Sequence, residues 1–462
     1  MRQANDPAIL ALAKYFEKSQ HRGTLPSLSL DEFEDLIAHY DGQRASEQIM
    51  EVLDCALQQY PYSVYFYLKK ADFLLAQNRT EEALEVIDDA AGLSPDNFEV
   101  LILSIEALTL LGQMELAGRL LDELPSPIDA EQQADYYYAQ AFWHEQRYEF
   151  ERMYFFLCAA LEILPSHQRS LEKMMVAVEM NKRYQEAIPL YEHILDQDPY
   201  SYQAWFNMGQ ALASTGAYER ALEAMEYAYI IDPHFELAYR DFIDLSFELG
   251  HYQQTLRCFE ELTNHFLLDA EDTQIIARCF WHLGQYSKAQ ESFNEAIQLD
   301  PHNDDTYYYL GECLTEQELF QPAIHYYSKA IQLDEKREEY FAARGEAFLL
   351  KGELEAAEAD FIQATQIAPE SGHLWVQYCS FLMQGGRAKE ALSILSQQRS
   401  LEDIEMLYCR VACLFMLGKR KEAKYWLSEA LSEAYEAHPL LFDLIPDLEM
   451  DADITALIAN HW

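Results

Sequence analysis

Histidine is the side chain best suited to move a proton near neutral pH, and the chain carries 14 of them. His144, His193, His265, His282 and His325 are dispersed along apolar stretches, with no matched nucleophile beside them. They read as packed or surface side chains. Eight cysteines could bind metal or attack an electrophile, but Cys55, Cys158, Cys258, Cys279, Cys313, Cys379, Cys409 and Cys413 show no CxxC spacing. Cys409 and Cys413 lie one helical turn apart and could supply two corners of a metal site. No nearby His or Cys completes a tetrahedral set, so neither metal nor cofactor is expected. A glycine-rich phosphate loop, HExxH, GxSxG and kinase signatures are all absent. Catalysis therefore has no motif to rest on, and the chain is not expected to be an enzyme.

The charge balance narrows the partners. Seventy-nine Asp and Glu against 33 Lys and Arg give a formal charge of −46, which repels phosphate backbones and anionic lipid alike. Nucleic acid is not an expected partner. Either the excess acid is solubilising charge on outer faces, or part of it lines a groove that selects basic partners. No stretch approaches the roughly 20 apolar residues of a membrane span. Met1–Ser19 lacks a basic leader and a cleavage site, and the cysteines read as small hydrophobes in a reducing compartment. A cytoplasmic location is expected.

What must position any functional residue is a 34-residue rhythm, clearest in Tyr202–Phe235. There Trp205, Gly209, Leu212, Gly216, Tyr218, Ala221, Ala228 and Pro233 follow in fixed order. Repeats begin near Leu30, Val64, Phe98, Ala134, Gln168, Tyr202, Glu236, Ala270, Asp304, Glu338, Gly372 and Ile404, about twelve in all. Large residues recur at the fourth, eleventh and twenty-fourth places and small ones at the eighth, twentieth and twenty-seventh, the pattern of two closely packed antiparallel helices. Gly112, Gly216, Gly250, Gly284, Gly352, Gly386 and Gly418 mark a left-handed turn inside the repeat. Pro61, Pro95, Pro165, Pro199, Pro233, Pro301 and Pro369 mark the joints between repeats. Irregular loops are expected near residues 124–133 and 397–403.

These residues, in this order, resemble the tetratricopeptide repeat family over roughly Leu30–Ala437. The resemblance implies an all-α fold, an α-α superhelix of about twelve helix-turn-helix repeats. Departures are Thr255 for the twentieth-place alanine, Leu267 and Glu335 where proline is usual, and a displaced turn around Arg147–Glu151. Residues 1–29 read as a capping helix followed by a loop through Gly23, and residues 438–462 as a C-terminal cap.

In this family the first helices of successive repeats line a concave groove, so the resemblance implies that the second, fifth, sixth, ninth, twelfth and thirteenth places face a partner. They collect Tyr65, Tyr138, Phe142, Phe206, Asn207, Arg240, Asp244, Arg278, Trp281, Tyr308, Tyr309, Glu312 and Glu346, joined by Lys69 and Asp72. Such a groove is aromatic and acidic, suited to a protein or peptide that is basic or aromatic-rich; the same aromatics could instead pack between helices. The carboxylate clamp of chaperone-binding members is absent, because Asn207 is flanked by Glu172 and Val176 before it and Leu237 and Asp241 after it. The expected function is a non-catalytic scaffold or adaptor for protein–protein interaction. A co-chaperone or holdase that binds unfolded chains is the alternative, and self-association through the end repeats is a third use of the same architecture.

Overall fold

The computed structural model describes residues 7–22, 24–43, 45–397, 403–459 and 461. Gly23 and most of the segment 397–403 lie outside the described residues, as do the first six residues and Trp462. Among the described residues the regular elements are all helical. The chain forms two compact units, Met1–Leu245 and Ser246–Trp462, dividing within the first helix of repeat seven.

First helices begin at Leu30, Val64, Phe98, Gln168, Tyr202, Glu236, Ala270, Asp304, Glu338, Gly372 and Ile404, as the periodicity requires. Repeat four alone departs: its first helix begins at Ala130, one turn before Ala134. Asp129 is the reason, since its carboxylate caps the new terminus by accepting from the Gln132 N–H at 2.8 Å.

In repeats two to twelve the turn inside the repeat places one residue in the left-handed region at the fifteenth place. Seven are the expected glycines, and Asn78, Tyr148, Lys182 and Glu318 hold that place elsewhere. Tyr148 (φ 60°) shows that the turn of repeat four is not displaced; only its residue type departs. Two backbone bonds close this turn. In repeat six Gly216 N–H donates to the Ala213 carbonyl at 3.0 Å and Ala217 N–H to Leu212 at 2.9 Å, so the first helix's free carbonyls are satisfied locally.

The two helices of a repeat are capped differently. Ser29, Asn97, Asp129, Ser201, Asp269, Asn303 and Asp403 each accept a backbone N–H with their side chains at the start of a first helix. Second helices, entered straight from the turn, begin at residues such as Ala217, Gln285, Leu319 and Glu353 that make no side-chain cap bond.

Small residues fix how closely the helices approach. Ala83, Ala187, Ala221, Ala289, Ala323, Ala357 and Ala423, all at the twentieth place, are fully buried. A Cβ on Gly311 would stand 2.5 Å from the Tyr327 ring, so only glycine fits there without movement. Thr255, the departure from alanine, is accommodated because its hydroxyl bonds Ser246 Oγ at 2.8 Å, serine here holding the eleventh place where a large side chain is usual. The fourth place has its own tether: Trp205 and Trp375 donate from Nε1 to the carbonyls of Pro199 and Pro369, each at 2.9 Å.

The joints rest as much on aspartate as on proline. Asp198, Asp232 and Asp300 accept the N–H two residues on, and Asp334 does the same toward Lys336 at 2.9 Å although Glu335 replaces proline. The joint therefore survives that departure. Leu267 is different. The second helix of repeat seven ends early at Leu262, and Leu267 is 95% exposed in the longer loop that follows.

At the chain's start, helix Pro7–His21 buries Ile9, Ala13 and Phe16, the last two in the cluster formed by Phe33, Leu36 and Tyr40. At the other end Leu441, Leu448, Ile454 and Ile458 are buried in a cluster with Leu427 and Leu431. Arg420 and Lys424 pair with Asp451 at 2.5 Å and Asp453 at 2.7 Å. The tail is thus packed on the last repeat rather than detached. Among the described residues, no helix is long and apolar enough to cross a membrane.

Candidate binding face

Within each compact unit the first helices of neighbouring repeats touch one another directly, as in repeats two to four and eight to ten. They make the closely spaced row of the stack, and side chains at the fifth, ninth, twelfth and thirteenth places can meet across adjacent repeats.

In the second unit this row gathers the predicted residues. Trp281, at the twelfth place of repeat eight, donates from Nε1 to Glu316 Oε2 at 2.7 Å. Its ring stacks on His282 (centroids 5.0 Å), and His282 stacks in turn on Tyr252 at 4.5 Å. Arg278 is held between the rings of Phe247 at 4.5 Å and Tyr309 at 4.3 Å, with its Nε buried and without a hydrogen-bond acceptor. Tyr308 lies 5.4 Å from Tyr309 and 5.1 Å from Tyr340. Trp281, Tyr308 and Tyr309 are each half-buried, so each packs on one edge and presents the other.

Carboxylates border these rings. Glu312 accepts from the Tyr327 hydroxyl at 2.6 Å. Burial is the main cause that raises its carboxyl above the ordinary range, and nearby Glu346 and Glu316 raise it further while the Tyr327 bond opposes them. Glu346 and Glu316 are exposed. His282 is shifted the other way, below the usual imidazole range, by burial and by the positive charge of Arg278.

In the first unit the predicted residues are more scattered. Tyr65 is 40% exposed, whereas Tyr138 and Phe142 are buried and stacked on each other. Phe206 and Asn207 are buried as well. Phe206 is buried edge-on against Phe235 at 4.9 Å. Asn207 is fully buried, donating to the Leu171 carbonyl at 2.7 Å and accepting from Gln203 at 3.0 Å, so both serve the core. Arg240 is half-buried and paired with Glu236 at 3.2 Å, and Asp244 is exposed.

The expectation for cysteine needs the same treatment. Cys409 and Cys413 do gain sulfur neighbours, because repeat eleven brings Cys379 beside Cys409 and places Met383 Sδ 3.4 Å from Cys413 Sγ. The neighbouring thiols and burial hold Cys409 well above the usual thiol range, hence protonated. Among the described residues no group of three or more His, Cys, Asp and Glu is arranged to hold a metal ion, and all eight cysteines are free thiols.

Glu316 is absent from the sequence-derived set although it stands at the thirteenth place, one of those expected to face the groove. Tyr340 stands at a place not expected to face it. The repeat register was sufficient to find the first, and only packing reveals the second.

Two family models described as tetratricopeptide repeat match the chain, one over residues 174–234 and the other over 74–141 and 280–347. The TPR repeat-containing protein YpiA of Bacillus subtilis is 23% identical over 332 residues, covering 71% of this chain and 77% of that protein. The DnaJ homolog subfamily C member 7 of Mus musculus is 20% identical over 245 residues, half of each protein. Among solved structures, yeast Tom70 aligns over 92% of this chain and 98% of its own at 15% identity, with a TM-score of 0.41.

Proposed function

We propose, from the premise that the chain belongs to the tetratricopeptide repeat family, that it is a non-catalytic scaffold whose first helices in repeats eight to ten hold a protein or peptide. The observation that carries this reading is the adjoining of half-buried Trp281, Tyr308 and Tyr309 with the carboxylates of Glu312, Glu316 and Glu346. Rigid rings offer contact area at small entropic cost, and the carboxylates, which outnumber the neighbouring Arg278 and Arg337, favour a segment bearing lysine or arginine beside apolar side chains. Repulsion would disfavour acidic segments.

A cytoplasmic setting agrees with the eight free thiols, seven of them buried. The scaffold reading predicts one saturable partner. A holdase would instead bind unfolded chains broadly, and self-association would appear in light scattering as a concentration-dependent mass.

The test is fluorescence anisotropy with labelled peptides of matched length, one set carrying Arg and Phe and one carrying Glu and Phe. Saturable binding of the basic set, weakened at least tenfold by the combined Trp281→Ala, Tyr308→Ala and Tyr309→Ala substitutions, is the expected result. Equal binding of both sets, or binding that survives the triple substitution, removes this face from the function.

A further inference from the structure

Arg278 stands at the ninth place of repeat eight, on the helix Ala270–His282, and is half-buried. Its guanidinium lies between two rings from different repeats, with Cζ 4.5 Å from the centroid of Phe247 in repeat seven and 4.3 Å from that of Tyr309 in repeat nine. Nε is sealed without an acceptor. Nη1 and Nη2 are neither sealed nor bonded, so the open edge of the fork reaches the surface.

Arg278 is an exception in this respect. Among the described residues every other half-buried arginine holds an oxygen of its own chain. Arg169, Arg183, Arg240, Arg337, Arg344 and Arg387 hold carboxylates, and Arg410 holds the Leu395 carbonyl at 3.1 Å. Arg344 is the nearest parallel, since it too lies by two rings, Phe341 at 5.7 Å and Phe348 at 5.9 Å, yet it donates from Nε and Nη2 to Asp360 at 2.7 and 2.8 Å. With 79 Asp and Glu in the chain against 33 Lys and Arg, acceptors are not scarce. The carboxylates of Glu316 and Glu312 in the following repeat are turned to other donors, Trp281 Nε1 and the Tyr327 hydroxyl. Two rings therefore hold a cationic fork in place with its outer donors unspent, which lowers the entropy a ligand must remove on binding it.

We infer that Arg278 receives one carboxylate of the segment bound on the face of repeats eight to ten, Nη1–H and Nη2–H donating to its two oxygens, and this rests on the binding role proposed for that face. Two parallel donors match the two oxygens of a carboxylate, whereas a backbone carbonyl would use only one of them. A phosphate dianion also fits a fork, but Glu312, Glu316 and Glu346 repel a second negative charge more than a single one. The partner is then bipolar. One acidic group sits at Arg278 and a lysine or arginine lies toward the three glutamates, while a uniformly acidic segment is still repelled.

The test is fluorescence anisotropy on the full chain in about 0.15 M salt, with labelled peptides of matched length that all carry Arg and Phe. One amidated set has a single Glu moved through each position, its twin has Gln there, and a third set lacks Glu but ends in a free carboxylate. Expected is a position at which Glu binds at least about fivefold tighter than Gln, a gap that Arg278→Gln abolishes. Arg278→Lys keeps the charge and the stem without the fork; it guards against a loss of fold and should cut the gap at least in half. The same gap seen only between free and amidated ends would assign the carboxylate to a chain terminus. Twins and ends that bind alike at every position, a gap that survives Arg278→Gln, or a phosphoserine peptide that binds tighter than its Glu counterpart would overturn the inference and leave the role of the face standing. Failure of every peptide to bind, or binding that survives the combined Trp281→Ala, Tyr308→Ala and Tyr309→Ala substitutions, would remove the face and this inference together.

Discussion

Trp281 Nε1 and Glu316 Oε2 stand 2.7 Å apart across 35 residues of chain, one from each of two neighbouring repeats. The bond fixes the indole on the proposed binding face and simultaneously ties repeat eight to repeat nine. Replacing Trp281 with Phe keeps the ring contact and removes the donor. That variant should lose about 1 kcal/mol, seen as a lower urea midpoint, whereas Glu316→Gln, which can still accept, should lose less. Equal losses in the two variants would contradict this account.

Gly311 and Gly216 are glycine for different physical reasons and should fail differently. A Cβ at Gly311 meets the Tyr327 ring at 2.5 Å, so Gly311→Ala should cost about 1–3 kcal/mol through forced repacking and disturb the tyrosine near-ultraviolet signal. Gly216 faces open space with φ +81°, so Gly216→Ala should cost about 1 kcal/mol through backbone strain and leave that signal intact.

The raised carboxyl of Glu312 sets a direction for pH. In the folded chain it holds its proton to higher pH than in the unfolded chain, so the folded state binds more protons between the two values. Its contribution to stability is complete below the ordinary glutamate range and is lost as pH rises through the raised value. Glu312→Gln should therefore flatten the fall in urea midpoint across that window. A natural chain and a variant with parallel pH profiles would rule the effect out.

The thiols should be slow to react. Only Cys158 is partly exposed, and its thiol is pushed up to about 11, chiefly by burial. Ellman's reagent at neutral pH should label at most one cysteine quickly in the native chain and all eight in guanidinium. Rapid labelling of three or more native thiols would mean that the packed helices around the buried cysteines open readily.

Most of the repeat register was legible because it depends on local chemistry: a left-handed residue at the fifteenth place, small residues where helices cross, and punctuation at the joints. Ala130 escaped it since Asp129 caps one turn early, a contest between two start signals that spacing alone does not resolve. Within the face, periodicity assigns a direction to each place but not a depth. Asn207 and Tyr309 share the sixth place, yet Asn207 is sealed by its bond to Leu171 while Tyr309 stays accessible beside Arg278. Depth depends on what the neighbouring repeat places opposite, which is information some 34 residues away.

The unequal capping of the two helices determines where such a chain can change length. A second helix takes its starting geometry from the turn before it, and in repeats two to twelve that turn keeps the left-handed residue at the same place. Seven first helices carry their own starting signal in a Ser, Asn or Asp side chain, those at Ala130 and Ala270 among them, and the chain before these two is longer. Added residues, natural or engineered, belong at those seams, where a tag or a loop can be spliced in without unseating the hairpin on either side.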